Sequence, residues 1–223
     1  MGETAPVTIV LVHGAGSTGA AAAELLGLGS GTVLLEDRSG DVDQVVAALD
    51  ATMGRHPDCG ALVGVSLGAH AVARWASTAA GDVPRITCVL PAWTGEPSEA
   101  AGATALAGRE VETEGTAAIL ARLSRESPHS DVVRLLGLAW PHYSDAQLAR
   151  ALARAGRGRG PTREELAAIT VPVTVVGWRG DPFHPDCVTR QWASHLRRPT
   201  VAVAARPETR LLRQALSAAP GWA

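Results

Sequence analysis

Short apolar runs alternate with helical patterns along most of the chain. Runs of about five aliphatic residues are typical of parallel strands that are buried on both faces. Between them, apolar residues recur at helical spacing, as from Val42 to Leu49, where Asp41 is placed to cap the N-terminus. The predicted strands cover residues 7–12, 32–35, 61–63, 86–90, 171–176 and 200–204. The alternation predicts an α/β fold: a parallel, doubly wound sheet of about six strands with helices on both faces.

The stretch from about residue 97 to residue 168 departs from this alternation. Its apolar residues keep helical spacing, and no strand pattern interrupts them. We therefore expect a single domain over residues 1–223, in which residues 97–168 form a small helical lid inserted between two strands.

Composition and charge exclude several classes of partner. The formal net charge is −2 and the pI is about 6.4, so no basic face is expected to bind nucleic acid or an anionic membrane. Three widely spaced cysteines, Cys59, Cys88 and Cys187, predict free thiols and neither disulfides nor a metal site. No phosphate-binding or dinucleotide motif occurs, so no cofactor is expected. Residues 1–6 resemble no targeting signal, and no run reaches the ~18 apolar residues of a membrane span, which predicts a cytoplasmic protein.

The most informative motif lies after the third predicted strand. Residues 64–68 read G-V-S-L-G, and a helical pattern follows them. In a nucleophile elbow of the form G-x-S-x-G, the serine occupies a strained corner between a strand and a helix, and small neighbours relieve the crowding. The pattern therefore predicts that Ser66 projects its hydroxyl group above the edge of the sheet.

Two further motifs follow strands, where parallel sheets bind their ligands. Residues 13–16 read H-G-A-G after the first strand, and residues 177–182, which include Asp181, follow the fifth. With the elbow, these motifs resemble in order and spacing those of the α/β-hydrolase fold family, over nearly the whole chain. The resemblance implies that Ser66 is a nucleophile, that Asp181 is the acid of a catalytic triad, and that His13 supports its loop. It also implies an oxyanion hole formed by the N–H groups of Leu67 and of Ala15 or Gly16.

The sequence departs from the family at the general base. Family members place this histidine after the last strand, but residues 204–209 contain none, and none occurs after His195. His184, three residues from Asp181, is the best substitute, with His142 or His129 of the lid as alternatives. His70, one helical turn after Ser66, is expected to be buried beneath the site.

Few aromatic residues are available to form a binding pocket. Trp93, Trp140 and Tyr143, with His142, could line an apolar pocket for an acyl or polyketide-like group, or could close the lid against the sheet. The first hypothesis is a serine hydrolase that cleaves an ester, thioester or lactone of a small-molecule acyl substrate. The alternative is a protein that has lost hydrolysis and acts as a cyclase, a lyase or a ligand-binding module.

Overall fold

A computed structural model of the chain describes residues 7–79 and 82–219, so residues 1–6, on which the expectation about targeting rests, lie outside it. Within the described residues, one sheet of six parallel strands has the order β2-β1-β3-β4-β5-β6. The strands are β1 (Thr8–Val12), β2 (Thr32–Leu35), β3 (Cys59–Val65), β4 (Arg85–Val89), β5 (Val173–Trp178) and β6 (Pro199–Ala204). The six predicted strands are confirmed.

Ten α-helices occur in the described part of the chain, and a single 3-10 turn, Trp140–His142, adds to them. Asp41 caps α2 as predicted, because its side chain accepts hydrogen bonds from the N–H groups of Asp43 and Gln44. The helices are α1 (Gly19–Leu26), α2 (Val42–Arg55), α3 (Leu67–Thr78), α4 (Glu99–Glu114), α5 (Thr116–Glu126), α6 (Asp131–Ala139), α7 (Asp145–Ala155), α8 (Arg163–Ala168), α9 (Asp186–His195) and α10 (Thr209–Ser217).

The sheet is buried on both faces, as its continuous apolar strands require. Successive strand residues point to opposite faces, so Val10 and Leu11 of β1 enter different clusters. The first cluster joins the sheet to Leu49 of α2 and Trp192 of α9. The second joins the other face to helices α1 and α10, which include Leu212. This arrangement confirms the doubly wound sheet.

The chain between β4 and β5 is helical, and its helices pack in two ways. Helices α4 and α7 pack closely against each other. The cluster around α7 includes Leu148, Leu152 and Trp140. Helix α8 instead packs beside α3 and α9, and its Leu166 lies in the core of the sheet face. Helices α4 and α7 therefore form a further helical layer, whereas α6 packs against the second cluster through Val132 and Leu135, and α8 belongs to the layer that covers the other sheet face.

The structure describes all three cysteines, and none of them forms a disulfide. Burial raises the pKa of the Cys88 thiol to about 12. Over residues 7–79 and 82–219, every helix is too short or too polar to cross a membrane.

Candidate active site

Ser66 lies at a sharp turn between β3 and α3. Its backbone has φ 55° and ψ −117°, and Leu90 is the one other described non-glycine residue with a positive φ. A Cβ atom on Gly64 would lie 2.4 Å from the Gly68 carbonyl oxygen, and one on Gly68 would lie 2.2 Å from the carbonyl oxygen of Val12. Such contacts are prohibitive, so both flanking glycines are required by the backbone. The strand, turn and helix agree with the prediction from residues 64–68.

Main-chain groups surround the Ser66 hydroxyl. Leu67 is the first residue of α3, and its N–H group belongs to the helix end that has no acceptors within the helix. The loop after β1 approaches closely, because a Cβ atom on Gly14 would lie 2.9 Å from the Cβ of Ser66. In this loop, Ala15 and Gly16 form the centre of a turn that is closed by the Ser17 N–H group on the Gly14 carbonyl.

The side chains of His184 and Asp181 complete a line of hydrogen bonds to Ser66. The distance from His184 Nε2 to Ser66 Oγ is 2.9 Å, and the distance from His184 Nδ1 to Asp181 Oδ2 is 2.7 Å. Both residues lie in the loop between β5 and α9, and their side chains are 18% and 11% exposed. Because the carboxylate is an acceptor, Nδ1 carries the proton in this arrangement and Nε2 faces the hydroxyl group.

Asp181 accepts two more hydrogen bonds. The indole Nε1 of Trp178, the last residue of β5, donates to Oδ2 over 2.8 Å, and the N–H group of Phe183 donates to Oδ1 over 2.8 Å. Burial alone would raise the pKa of Asp181, but these bonds and the adjacent His184 outweigh it and lower the pKa to about 2. Sequence reasoning missed Trp178, although a tryptophan three residues before the acid in a short loop was a usable signal.

Three side chains contact the loop after β1, namely those of His13, Tyr143 and Trp140. His13 is buried, and its Nδ1–H donates to the Gly14 carbonyl over 2.8 Å, while Nε2 lies 3.5 Å from a carboxylate oxygen of Glu36. The Tyr143 hydroxyl donates to the Ser17 carbonyl over 2.6 Å. Trp140 lies against Gly16, with Nε1 3.6 Å from the place that a Cβ atom would take. Through these contacts the three side chains support the loop after β1.

Among the described residues, His184 is the side chain that contacts the Ser66 hydroxyl group by a hydrogen bond, and the remaining candidates from the sequence make other contacts. Trp93 is buried and donates from Nε1 to the Gly158 carbonyl. His142 and His129 are exposed, and His142 contributes only its carbonyl oxygen to a hydrogen bond with Arg38. The side chains of Trp93, Trp140 and Tyr143 are thus buried in packed layers, and Trp140 and Tyr143 also border a pocket together with Leu120 and Asp145.

His70 is fully buried, as expected. Its Nε2 accepts hydrogen bonds from the N–H groups of Ala92 and Trp93, over 3.2 and 3.4 Å. Burial, followed by the electrostatic effect of the neighbouring His184 and Arg74, lowers the pKa of His70 to about 3, so the ring is neutral. In the portion of the chain that the structure describes, no group of three or more His, Cys, Asp or Glu side chains could hold a metal ion.

Comparison with solved structures identifies the fold, although the sequence matches no protein-family model and no curated protein sequence. The enol-lactonase from Burkholderia xenovorans LB400 is similar with a TM-score of 0.69 and 17% identity, over 97% of this chain and 90% of that one. The esterase EaEST from Exiguobacterium antarcticum has a TM-score of 0.68 and 11% identity, over 89% and 83%. The chain has the α/β-hydrolase fold.

The esterase RhEst1 from Rhodococcus sp. ECU1013 is a further similar structure, with a TM-score of 0.65 and 15% identity over 91% of this chain and 83% of that one. At such identities the likeness establishes the fold of this chain alone, because one fold hosts many activities.

Proposed function

We propose that this protein is a serine hydrolase that cleaves an ester, thioester or lactone through an acyl-enzyme on Ser66. In this proposal His184 is the general base, Asp181 is the acid that orients it, and no metal ion or cofactor takes part. The substrate is a small molecule with an acyl group.

One observation carries the proposal: a single histidine lies between the Ser66 hydroxyl and a buried carboxylate. The distances of 2.9 Å to Ser66 Oγ and 2.7 Å to Asp181 are within the range that proton transfer requires. A serine hydroxyl is a weak nucleophile unless a base accepts its proton. The low pKa of Asp181, about 2, keeps the carboxylate ionised at neutral pH, so it can stabilise an imidazolium on His184.

Acylation follows from this geometry. Ser66 Oγ attacks the carbonyl carbon of the substrate while its proton moves to His184 Nε2, and a tetrahedral oxyanion forms. The N–H group of Leu67, at the positive end of α3, and that of Ala15 or Gly16 donate hydrogen bonds to this oxyanion. When the intermediate collapses, the bond to the alcohol or thiol breaks and the leaving group takes the proton from Nε2.

Deacylation repeats the same proton transfers with water. A water molecule attacks the acyl carbon and gives its proton to His184, and the second tetrahedral intermediate collapses. Ser66 Oγ leaves with the proton from Nε2, and a carboxylic acid is released.

The non-hydrolytic alternative arose because no histidine follows the last strand. A histidine at hydrogen-bond distance from Ser66, in another loop, provides a candidate base and supports the hydrolase proposal over that alternative. The hydrolase proposal is therefore preferred over a cyclase, a lyase or a ligand-binding module.

Labelling with a fluorophosphonate tests the proposal. We expect Ser66 Oγ to displace fluoride and to form a phosphonyl adduct, which peptide mapping by mass spectrometry would locate on the peptide that contains Ser66. The Ser66→Ala variant should remain unlabelled, and His184→Ala should react at least about 10³-fold more slowly, because removal of the base removes the activation.

The matched control is His142→Ala, which removes an exposed histidine of the lid and should react at the wild-type rate. A folded wild-type protein that does not react, or that hydrolyses no member of a panel of p-nitrophenyl esters, thioesters and lactones, would contradict the proposed function.

A further inference from the structure

Three buried rings form a cluster between the helix that begins after Ser66 and the helix that follows His184. The centroid of the His70 ring lies 4.7 Å from that of Trp93, edge to face, and 5.5 Å from that of Trp192. Trp192 Nε1 donates to the main-chain carbonyl oxygen of Trp93 over 3.1 Å. We call these residues the ring cluster; His70 belongs to α3, Trp192 to α9, and Trp93 to the loop after β4.

The hydrogen bonds of His70 require an unprotonated Nε2. This one atom accepts from two consecutive main-chain N–H groups, those of Ala92 and Trp93. Both N–H groups are buried, and without an acceptor each would lose the hydrogen bond that water supplies in the unfolded chain. A leucine of similar size at position 70 would fill the space but would leave both groups unpaired.

The ring cluster includes residues of the two helices that adjoin the proposed triad. His70 is one turn from Ser66, and its own N–H group donates to the Ser66 carbonyl over 3.2 Å. Helix α9 begins two residues after His184. Because acid and base share one loop, the distance between His184 and Ser66 depends on how the β5–α9 segment is held relative to α3.

We propose that His70 is a positioning residue for the Ser66–His184 pair. As a neutral acceptor, its ring connects α3 to residues 92–93 by hydrogen bonds, and its contacts with Trp93 and Trp192 connect α3 to α9. These connections hold the His184 ring within reach of Ser66 Oγ. This inference rests on the proposed function and adds to it a residue that touches no reacting atom.

The neutrality of His70 serves this role. Its pKa of about 3 means that Nε2 keeps its lone pair throughout the neutral range. A protonated ring would lose the acceptor and would add a positive charge close to the imidazolium that forms on His184 during catalysis. A neutral acceptor is therefore the chemistry that position 70 requires.

The test compares four variants that change the core beneath the site. His70→Leu removes the acceptor, His70→Gln restores a neutral acceptor oxygen, and Trp192→Phe removes the bond to the Trp93 carbonyl. The matched control is Trp75→Phe, since Trp75 also lies on α3 and also loses an indole hydrogen bond, to Asp50. We expect His70→Leu and Trp192→Phe to lower kcat about tenfold to a hundredfold with little change in KM, because a base displaced by about 1 Å loses this much.

Trp75→Phe should keep kcat within about twofold of wild type, and His70→Gln should recover most of the loss seen in His70→Leu. Rates are compared at a temperature well below the lowest Tm, so that loss of folded protein does not contribute. A kcat for His70→Leu and Trp192→Phe equal to that of Trp75→Phe, or no recovery in His70→Gln, would overturn the proposal. If His70→Leu does not fold, two rates decide the proposal. The kcat of Trp192→Phe should still fall relative to that of Trp75→Phe, and the kcat of His70→Gln should stay close to that of the wild type.

Two readouts separate this inference from the proposed function. Nitrogen-15 NMR of the imidazole should show His70 in the neutral form with the proton on Nδ1, whether or not the protein is a hydrolase. Crystal structures of Trp192→Phe and Trp75→Phe should show a longer distance from His184 Nε2 to Ser66 Oγ in the first variant alone. A wild-type protein without hydrolase activity contradicts the proposed function, whereas an unchanged distance in Trp192→Phe contradicts the positioning role.

Discussion

The turn at Ser66 and the loop that carries Asp181 and His184 meet at one hydrogen bond but hold their side chains by different means. Ser66 is fixed by its main chain: a strained φ, two glycines without room for a Cβ atom, and the first turn of α3. Asp181 and His184 are fixed by side-chain hydrogen bonds within a four-residue stretch. We therefore expect changes at the turn to act mainly through main-chain crowding, and changes in the loop to act through the hydrogen bonds and the charge of Asp181 and His184.

The loop also contrasts with the segment after β6, which is where the resemblance to the α/β-hydrolase fold family led us to expect a histidine. Here Asp181 and His184 lie in a single loop, so one short segment supplies both groups. The position of this loop relative to α3 therefore determines whether His184 reaches Ser66. The hydrogen bond between His184 and Ser66 thus joins the loop after β5 to the turn after β3.

The largest expected effect is loss of catalysis on Asp181→Asn. The substitution keeps the size of the side chain but removes the charge that orients His184 and stabilises its imidazolium form. We expect kcat to fall about 10⁴-fold, which corresponds to about 5 kcal/mol of transition-state stabilisation. Steady-state kinetics with the best ester of the panel measures the effect. A fall of less than tenfold would show that Asp181 does not orient the base.

The turn should respond to Gly68→Ala by unfolding more easily. The new Cβ atom would meet the main-chain carbonyl oxygens of Val12, the last residue of β1, and of His13, which cannot move aside without a shift of the strand end. We expect the free energy of unfolding to fall by about 3 kcal/mol, measured by urea denaturation.

Gly54→Ala is the matched control, because Gly54 lies in α2 with open space around its Cα. This variant should gain about 0.5–1 kcal/mol, as a glycine-to-alanine change in a helix does. Equal effects at the two positions would contradict the view that main-chain crowding shapes the turn.

The two regions also differ in how far the sequence predicts them. The six strands and the turn at Ser66 follow from local patterns, since apolar runs and glycine spacing record main-chain requirements directly. Pairing of Asp181 with His184 was one of several options because it depends on how a loop folds. The contact of Trp178 with Asp181 spans three residues, so its sequence spacing was a usable signal, whereas the contact of Trp93 with His70 joins residues 23 positions apart that no local pattern relates.

The pH dependence of stability should reveal Asp181. Its folded pKa of about 2 lies below the ordinary value, so its contribution is present above about pH 4 and is lost as the pH falls through 2. This contribution is about 2 kcal/mol. Urea denaturation of wild type and Asp181→Asn from pH 6 to pH 2 should show the wild type losing more stability over this range. Parallel curves for the two proteins would contradict the low pKa.

The smallest expected effect belongs to Trp178→Phe, which removes one of three hydrogen bonds to Asp181 and keeps an aromatic ring in the core. The carboxylate retains the bonds from His184 and from the Phe183 N–H group, so we expect its pKa to rise but to stay below the ordinary value. A hydrogen bond to a charged group contributes about 1.5 kcal/mol, which limits the fall in kcat to about tenfold.

The control is again Trp75→Phe, which breaks an indole bond to the carboxylate of Asp50. A kcat equal to that of this control would mean that His184 and the loop backbone suffice to hold Asp181, whereas a loss as large as that of Asp181→Asn would mean that the indole, and not the turn, sets the position of the acid.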